Sequence, residues 1–366
     1  MNSSEMHKKT RGYRSAIYFS LTDSLKDEWR NLWENSDSAN IFNSPSWFVA
    51  ACRAFSYKNI LIIIVRESPG DKLIAVLPLV KTRPYGFSVF VLPGTEFIDC
   101  FSFLTDITDD AVIREVSTEL SRLGVVYLTG LIEKDIHVFL RQDKNISFFS
   151  AEENPYINCG EGQLKKFLDI GESKSIRKAE RLFGQISFVH VTKDHKEILQ
   201  KAFEIDRFSS KHKKGKGVFW RDDTKKFFIQ LIRESPSSVF VDLLFFAGEP
   251  IAYSIGFICN GIYVCSQKAH LSLYERYRPG GIAFRKFLEA AAHEDIREIN
   301  LGKGYDQFKM DFTKDSRVLY SVIISKNILT RFLLKSILQL RARAYTIVIA
   351  YPKLYLQFKR LKKYPL

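Results

Sequence analysis

The chain is poor in the residues that build cross-links and stiff linkers. Its 366 residues include only 5 cysteines, 3 methionines and 11 prolines. Cys52, Cys100, Cys159, Cys259 and Cys265 are odd in number and scattered, and no C-x-x-C pair occurs among them, which argues against a disulfide framework. Cys259 and Cys265 flank an Asn260-Gly261 turn, but a two-residue turn sets Cys259 opposite Ile262 instead. A reducing compartment is expected. The low proline content, with 46% hydrophobic residues, indicates a globular protein without long disordered stretches. Long apolar runs are also missing. Met1 to Ile17 lacks the apolar core of a signal peptide, and the run from Ala344 to Tyr351 is far too short to span a bilayer and stops at Pro352. The expected location is cytoplasmic. No Ser-His-Asp, metal-ligand or Walker-type pattern is present, so no metal is expected.

Acid is missing from the end of the chain. Residues 316–366 contain 11 Lys or Arg and no Asp or Glu. The formal net charge is +14, yet the remaining residues hold 44 of the 55 basic side chains against all 41 acidic ones, a net of only +3. Between Ile328 and Leu366, Leu329, Phe332, Leu333, Ile337, Ile347, Val348 and Tyr351 mix with Arg331, Lys335, Arg341 and Arg343. This suits a basic amphipathic helix on an anionic membrane, and equally a helix packed on the protein with a solvated basic face.

The length suffices for two domains. The first half predicts a helix over Asp23 to Glu34, with Trp29 and Trp33 on one face. A second helix starts at Pro45, capped by Ser44. Two β-rich runs, 59–66 and 72–80, meet at the turn Ser68-Pro69-Gly70-Asp71. A strand near 88–92, a helix over 110–123 and a strand over 125–129 follow. The second half predicts helices over 163–170, 173–183, 194–208 and 222–233, with strands over 185–191, 238–246, 251–259 and 262–269. A glycine loop then opens a helix, and Ile299-Asn300-Leu301 forms a short strand. Both halves thus run antiparallel strands, helix, strand. We expect a polar tail over 1–17, domains over 18–160 and 161–325, and a basic helical tail over 326–366.

Arg278-Pro279-Gly280-Gly281-Ile282-Ala283 lies where the second-half helix begins. Gly280 and Gly281 lack Cβ atoms, so backbone N–H groups can approach an anion, and the helix N-terminus adds donors and positive potential. The sequence fits Arg/Gln-x-x-Gly-x-Gly/Ala, and resembles the pyrophosphate loop of GNAT acyltransferases. The wider pattern resembles the CelD-like acyltransferases, double-GNAT proteins related in fold to FemAB-type aminoacyltransferases. Trp29, Leu32, the segments 41–47 and 77–79, and Asp99 carry this likeness in the first half. Segments 176–181, 248–252, 277–280 and 302–309 carry it in the second.

The resemblance implies an α+β (α/β) fold of tandem GNAT-like domains, with mixed central sheets flanked by helices. It further implies an acyl-CoA, such as acetyl-CoA, as co-substrate in the second domain, and a link to polysaccharide biosynthesis. Arg276, Arg278, Gly280, Gly281, Ile282, Ala283 and Lys309 are then expected to hold the acyl-CoA. Tyr305 would protonate the departing thiolate, as a tyrosine often does in GNAT enzymes; its plainer reading is a stacking side chain. Asp206 and His212, with Glu204 and Asp242 behind them, are candidates to take the proton of an attacking amine, although structural hydrogen bonds explain each of them as well. Lys211, Lys268 and Lys303 are expected to contact the substrate. Where the family often has a large aromatic residue and glycine, this chain reads Ser209 to Gly217, rich in lysine, which suggests an anionic acceptor. The expected partner is a small-molecule or sugar- or lipid-linked amine, with peripheral membrane contact through 328–366 and no DNA. Transfer from aminoacyl-tRNA and a non-catalytic assembly role at the membrane are the alternatives.

Overall fold

The structure is a computed structural model in which residues 12–107, 109–133, 135–136, 145–160, 174–191, 195–291, 295–304 and 306–350 are described. The helix expected over 163–170 lies outside them.

Strands β1 (Gly12–Tyr18), β2 (Ile60–Ser68) and β3 (Leu73–Thr82) form an antiparallel meander. Nearly every residue in the middle of β2 and β3 is buried, because both faces are covered. Ile62 and Ile64 join the cluster of Leu25, Trp29 and Leu32 from α1 (Asp23–Asn35), whereas Leu61, Ile63 and Val65 join that of Val112, Val116 and Leu120 from α3 (Asp110–Arg122). The α1 tryptophans sit on one face as expected, their indole N–H groups donating to Asn43 O at 3.0 Å and Asn40 O at 2.7 Å. Helix α2 (Pro45–Phe55) begins as the sequence requires, with Ser44 Oγ accepting from Trp47 N. Short strands β4 (Val89–Val91) and β5 (Leu104–Thr105) pair with β3, and β6 (Val126–Leu131) returns parallel to β4.

The second half repeats this plan. Strands β8 (Ile186–Val191), β9 (Val239–Phe246), β10 (Glu249–Cys259) and β11 (Ile262–His270) are antiparallel. Helix α8 (Pro279–Ala291) then leads to β12 (Glu298–Asn300), parallel to β11. Helices α4 (Lys174–Phe183), α5 (His195–Arg207), short α6 (Ser210–Lys213) and α7 (Asp222–Glu234) complete this half. This is a GNAT-like mixed sheet with flanking helices, as expected.

Three expectations need correction. β1 begins inside the supposed polar tail. The domain boundary expected at 160/161 comes directly after the long strand β7 (Ile146–Asn158), which pairs across it. Residues 316–324, which fall within the expected second domain but with no element assigned to them, form β13 (Ser316–Ile324). These last two strands interlock the halves. β7 follows the first half yet pairs with β12, while β13 follows the second half yet pairs with β6. β7 and β13 also pair with each other, so one sheet runs β1-β2-β3-β4-β6-β13-β7-β12-β11-β10-β9-β8. On one side α2 packs on α7, with the Trp47 and Phe227 rings 4.8 Å apart. Glu234 at the end of α7 accepts from both Lys26 and Arg53 of the first half. After β13 the chain forms a 23-residue helix, Ile328–Ala350.

Candidate active site

The parallel pair β11–β12 holds together only from Ile262 to Val264 against Glu298 to Asn300. β11 then runs on to His270 while the other chain turns away at Gly302 and Gly304, both at φ +80°. A cleft opens between them. β11 is also irregular there, since Ile255 pairs with Gln267 and Gly256 with Cys265, leaving Ser266 as an extra residue.

Several residues fix the turning loop. A Cβ on Gly302 would lie 3.0 Å from Cys265 O, so the close approach of the two strands requires glycine. Asn300 Oδ1 accepts from Gly302 N at 2.9 Å and from Asn154 Nδ2 of β7 at 2.7 Å. Lys309, in the one-turn helix α9 (Gln307–Met310), is 5% exposed. Its ammonium donates to Gly302 O, Lys303 O and Gly304 O at 2.7–2.8 Å. Lys309 therefore uses its three donors to fold the loop, where the sequence suggested pairing with phosphate. Asp99, from the first half, accepts from Lys303 N at 3.2 Å, and burial raises its carboxyl pKa. It was noticed in the sequence only for family likeness; no local signal marks a loop in one half as part of a cleft in the other.

The cleft contains a cavity of about 250 Å³ whose lining includes Ser254, Cys265, Lys268, Gly280, Asp306 and Phe308. Lys268 is its main chemical feature. The ammonium is buried, makes no hydrogen bond within the protein and stands 3.6 Å from the Phe308 ring centroid. Burial lowers its pKa to about 8. Ser266 Oγ and His270 Nε2 are likewise buried without a protein partner, and burial lowers the His270 pKa. Lys211 Nζ donates to Lys268 O at 2.7 Å, placing a second ammonium at the rim.

A second cavity, of about 390 Å³, lies at the N-terminus of α8. Its lining includes Arg278, Gly280, Gly281, Arg285 and Gln307 together with the carboxylates of Glu275 and Asp311, and it shares His270, Gly280 and Phe308 with the first. The two cavities therefore adjoin. A Cβ built on Gly281 meets nothing within 4 Å, so its backbone faces open space. Arg278 adopts φ +54°, and its carbonyl accepts from Gly281 N at 2.9 Å, while its guanidinium pairs with Asp311 at 2.9 Å. Arg276 lies over the Tyr277 ring, 4.7 Å from its centroid. Ile282 and Ala283 are buried against Ile176, Leu244, Phe246 and Ile251, so the Ile282 side chain seats the helix on the sheet. Ala283 also reaches the inner cavity.

Other candidates are occupied elsewhere. Asp206 is 1% exposed and accepts from Tyr253 OH at 2.9 Å and Phe219 N at 3.0 Å, so both oxygens hold the fold. His212 packs against Gly217, where a Cβ would lie 2.8 Å from its Nδ1, and it lines neither cavity. Asp242 pairs with His190 Nδ1 at 2.5 Å, and burial raises its carboxyl pKa. Glu204 is exposed. Lys303 is half-buried in the Gly302 loop, and Tyr305 lies outside the described residues. Among the described residues, no group of three or more His, Cys, Asp or Glu is placed to hold a metal ion.

Residues 172–310 match the family described as Acetyltransferase (GNAT) domain. No curated protein matches the sequence. Among solved structures, a conserved protein of unknown function from Bacteroides thetaiotaomicron VPI-5482 is similar at TM-score 0.56 and 13% identity, over 85% of this chain and 100% of that one. FemX is similar at TM-score 0.56 and 9% identity, over 84% and 96%. The C-terminal domain (DUF2156) of a proposed lysylphosphatidylglycerol synthetase from Agrobacterium fabrum reaches TM-score 0.54 at 11% identity, over 85% and 94%. At such identities the likeness is one of fold. Residues 172–310 thus carry the match to a GNAT acetyltransferase domain, an N-acyltransferase domain in the second half of the chain, and the fold agrees with it.

Proposed function

We propose that the second half transfers an acyl group from acyl-CoA to an amine. The two adjoining cavities, one at the α8 N-terminus and one beside Lys268, carry this reading. They suit a phosphate-bearing pantetheine thioester, with phosphate at the glycine loop and Arg285 and the thioester beside Lys268. The matching helix of the first half, α3, starts with Asp109 and Asp110, whose charge would repel a phosphate there.

In the reaction, the amine nitrogen bonds to the thioester carbon, the C–S bond breaks, and the amine loses a proton to solvent while sulfur gains one. Lys268 supplies the sulfur's proton. Its pKa of about 8 lies close to that of a thiol, so the transfer is nearly balanced in free energy. Holding both reactants in the cleft supplies much of the remaining acceleration. The CelD-like resemblance suggests an amine acceptor in polysaccharide or cell-envelope synthesis, and the lysine-rich rim at Lys211 suits an acidic one.

A second reading rests on the neighbouring ammonium groups of Lys211 and Lys268, which would suit an acyl donor with a phosphodiester near the reacting ester, as in aminoacyl-tRNA. The two readings separate in one assay. Thiol release from acetyl-CoA and longer acyl-CoAs, measured with a panel of amino sugars and amino acids, should show amine-dependent turnover. Absence of thiol release with any acyl-CoA, together with salt-sensitive binding of aminoacyl-tRNA, would favour the second reading.

A further inference from the structure

The helix α10 (Ile328–Ala350) has two apolar faces where a helix packed on a domain needs one. Leu334 and Leu338 turn inward, against Val80, Val89, Val91 and Ile323. Leu329, Phe332, Leu333 and Leu340 lie on the opposite side and are 62%, 66%, 41% and 62% exposed. Their positions follow from helical spacing: at 100° per residue, 329, 333 and 340 project within one narrow sector facing away from 334 and 338. Ile328, 73% exposed, opens the same helix.

We propose that this outer face of α10 docks the protein on an anionic lipid surface. Charge selects that occupant. Residues 316–366 hold 11 basic side chains and no acidic one, 11 of the +14 net charge, and five of them, Lys353, Lys359, Arg360, Lys362 and Lys363, follow the helix directly in the sequence. A second copy of the chain would bring the same charge against itself, and such an interface would repel. A membrane bearing anionic headgroups accepts both features together, the apolar side chains entering the interface while Lys and Arg meet the headgroups. Among the described residues no helix is long and apolar enough to cross a membrane, so α10 would lie on the surface. This docking is independent of the acyl-transfer reading.

Flotation of the full-length chain with vesicles tests it, using phosphatidylcholine alone and phosphatidylcholine with about 30 mol % phosphatidylglycerol. The protein should float with the anionic vesicles at least tenfold more than with the neutral ones, and less as salt rises from about 0.1 to about 0.5 M. The triple variant Leu329→Ser, Phe332→Ser, Leu340→Ser touches exposed positions only, so it should keep its thermal unfolding and lose flotation. Failure of the parent to float, equal binding to both vesicle types, or full binding by a folded triple variant would each overturn the proposal. Concentration-dependent dimerisation abolished by the same variant, without flotation of the parent, would assign the face to a second copy instead.

Discussion

A lysine in the middle of a strand is unremarkable as sequence, and Lys268 shows what the fold adds. Burial between β11 and the Phe308 ring lowers its pKa from 10.5 to about 8. Below pH 8 the folded protein must bury the charged form, at a cost of about 3 kcal/mol that the Phe308 ring partly offsets. Between about pH 8 and 10.5 the unfolded chain keeps this proton and the folded one releases it, so this residue makes stability rise with pH across that window. Lys268→Met should therefore raise the melting temperature at pH 7, with the gain shrinking as pH rises toward 10.5 in a series of thermal scans. The same variant should lower kcat by about 10²-fold or more, and the parent's kcat should fall above pH 8. An unchanged turnover in Lys268→Met would remove it from the chemistry. Gly302→Ala is the opposite case: its Cβ would meet Cys265 O at 3.0 Å from a backbone at φ +80°, so urea unfolding should show a loss of about 1–3 kcal/mol. The sequence marked Lys268 as an expected substrate contact and Gly302 only within the segment 302–309 that carries the family likeness. It did not show that Lys309 would be spent on three carbonyls, or Asp206 on a tyrosine and a backbone N–H, because those partners come from distant segments.

Elements with local cues were legible. The Ser44-Pro45 helix start and the Asn260-Gly261 hairpin occur where the sequence places them, Cys259 facing Ile262 as the turn requires. β7 and β13 were misread because their meaning is not local. Each pairs with strands of the other half, and β13 precedes so basic a segment that composition hides it. Exchange of these strands has a consequence for truncation. A chain ending at residue 315 loses the strand between β6 and β7, exposing two apolar edges at once. It should accumulate as aggregate in expression trials, and a soluble, cooperatively unfolding product would contradict the interlocked sheet.

The whole molecule combines an interlocked sheet, adjoining cavities at the α8 N-terminus and a basic helix after β13. Because α2 and α7 share an aromatic core and the halves exchange strands, calorimetry should show one unfolding transition instead of two. The duplicated plan was readable from element order; the proposal that only one copy carries the chemistry rests on the contrast between Gly280-Gly281 at α8 and Asp109-Asp110 at α3. That contrast is best tested by calorimetric titration of acetyl-CoA into the parent and into Gly281→Glu. Gly281 has open space around it, so glutamate fits the fold while placing a negative charge at the proposed phosphate position. Saturable binding by the parent, weakened at least tenfold in a Gly281→Glu protein that melts normally, is the predicted result. Equal binding by both proteins, or none by the parent, would contradict an acyl-CoA site at this loop.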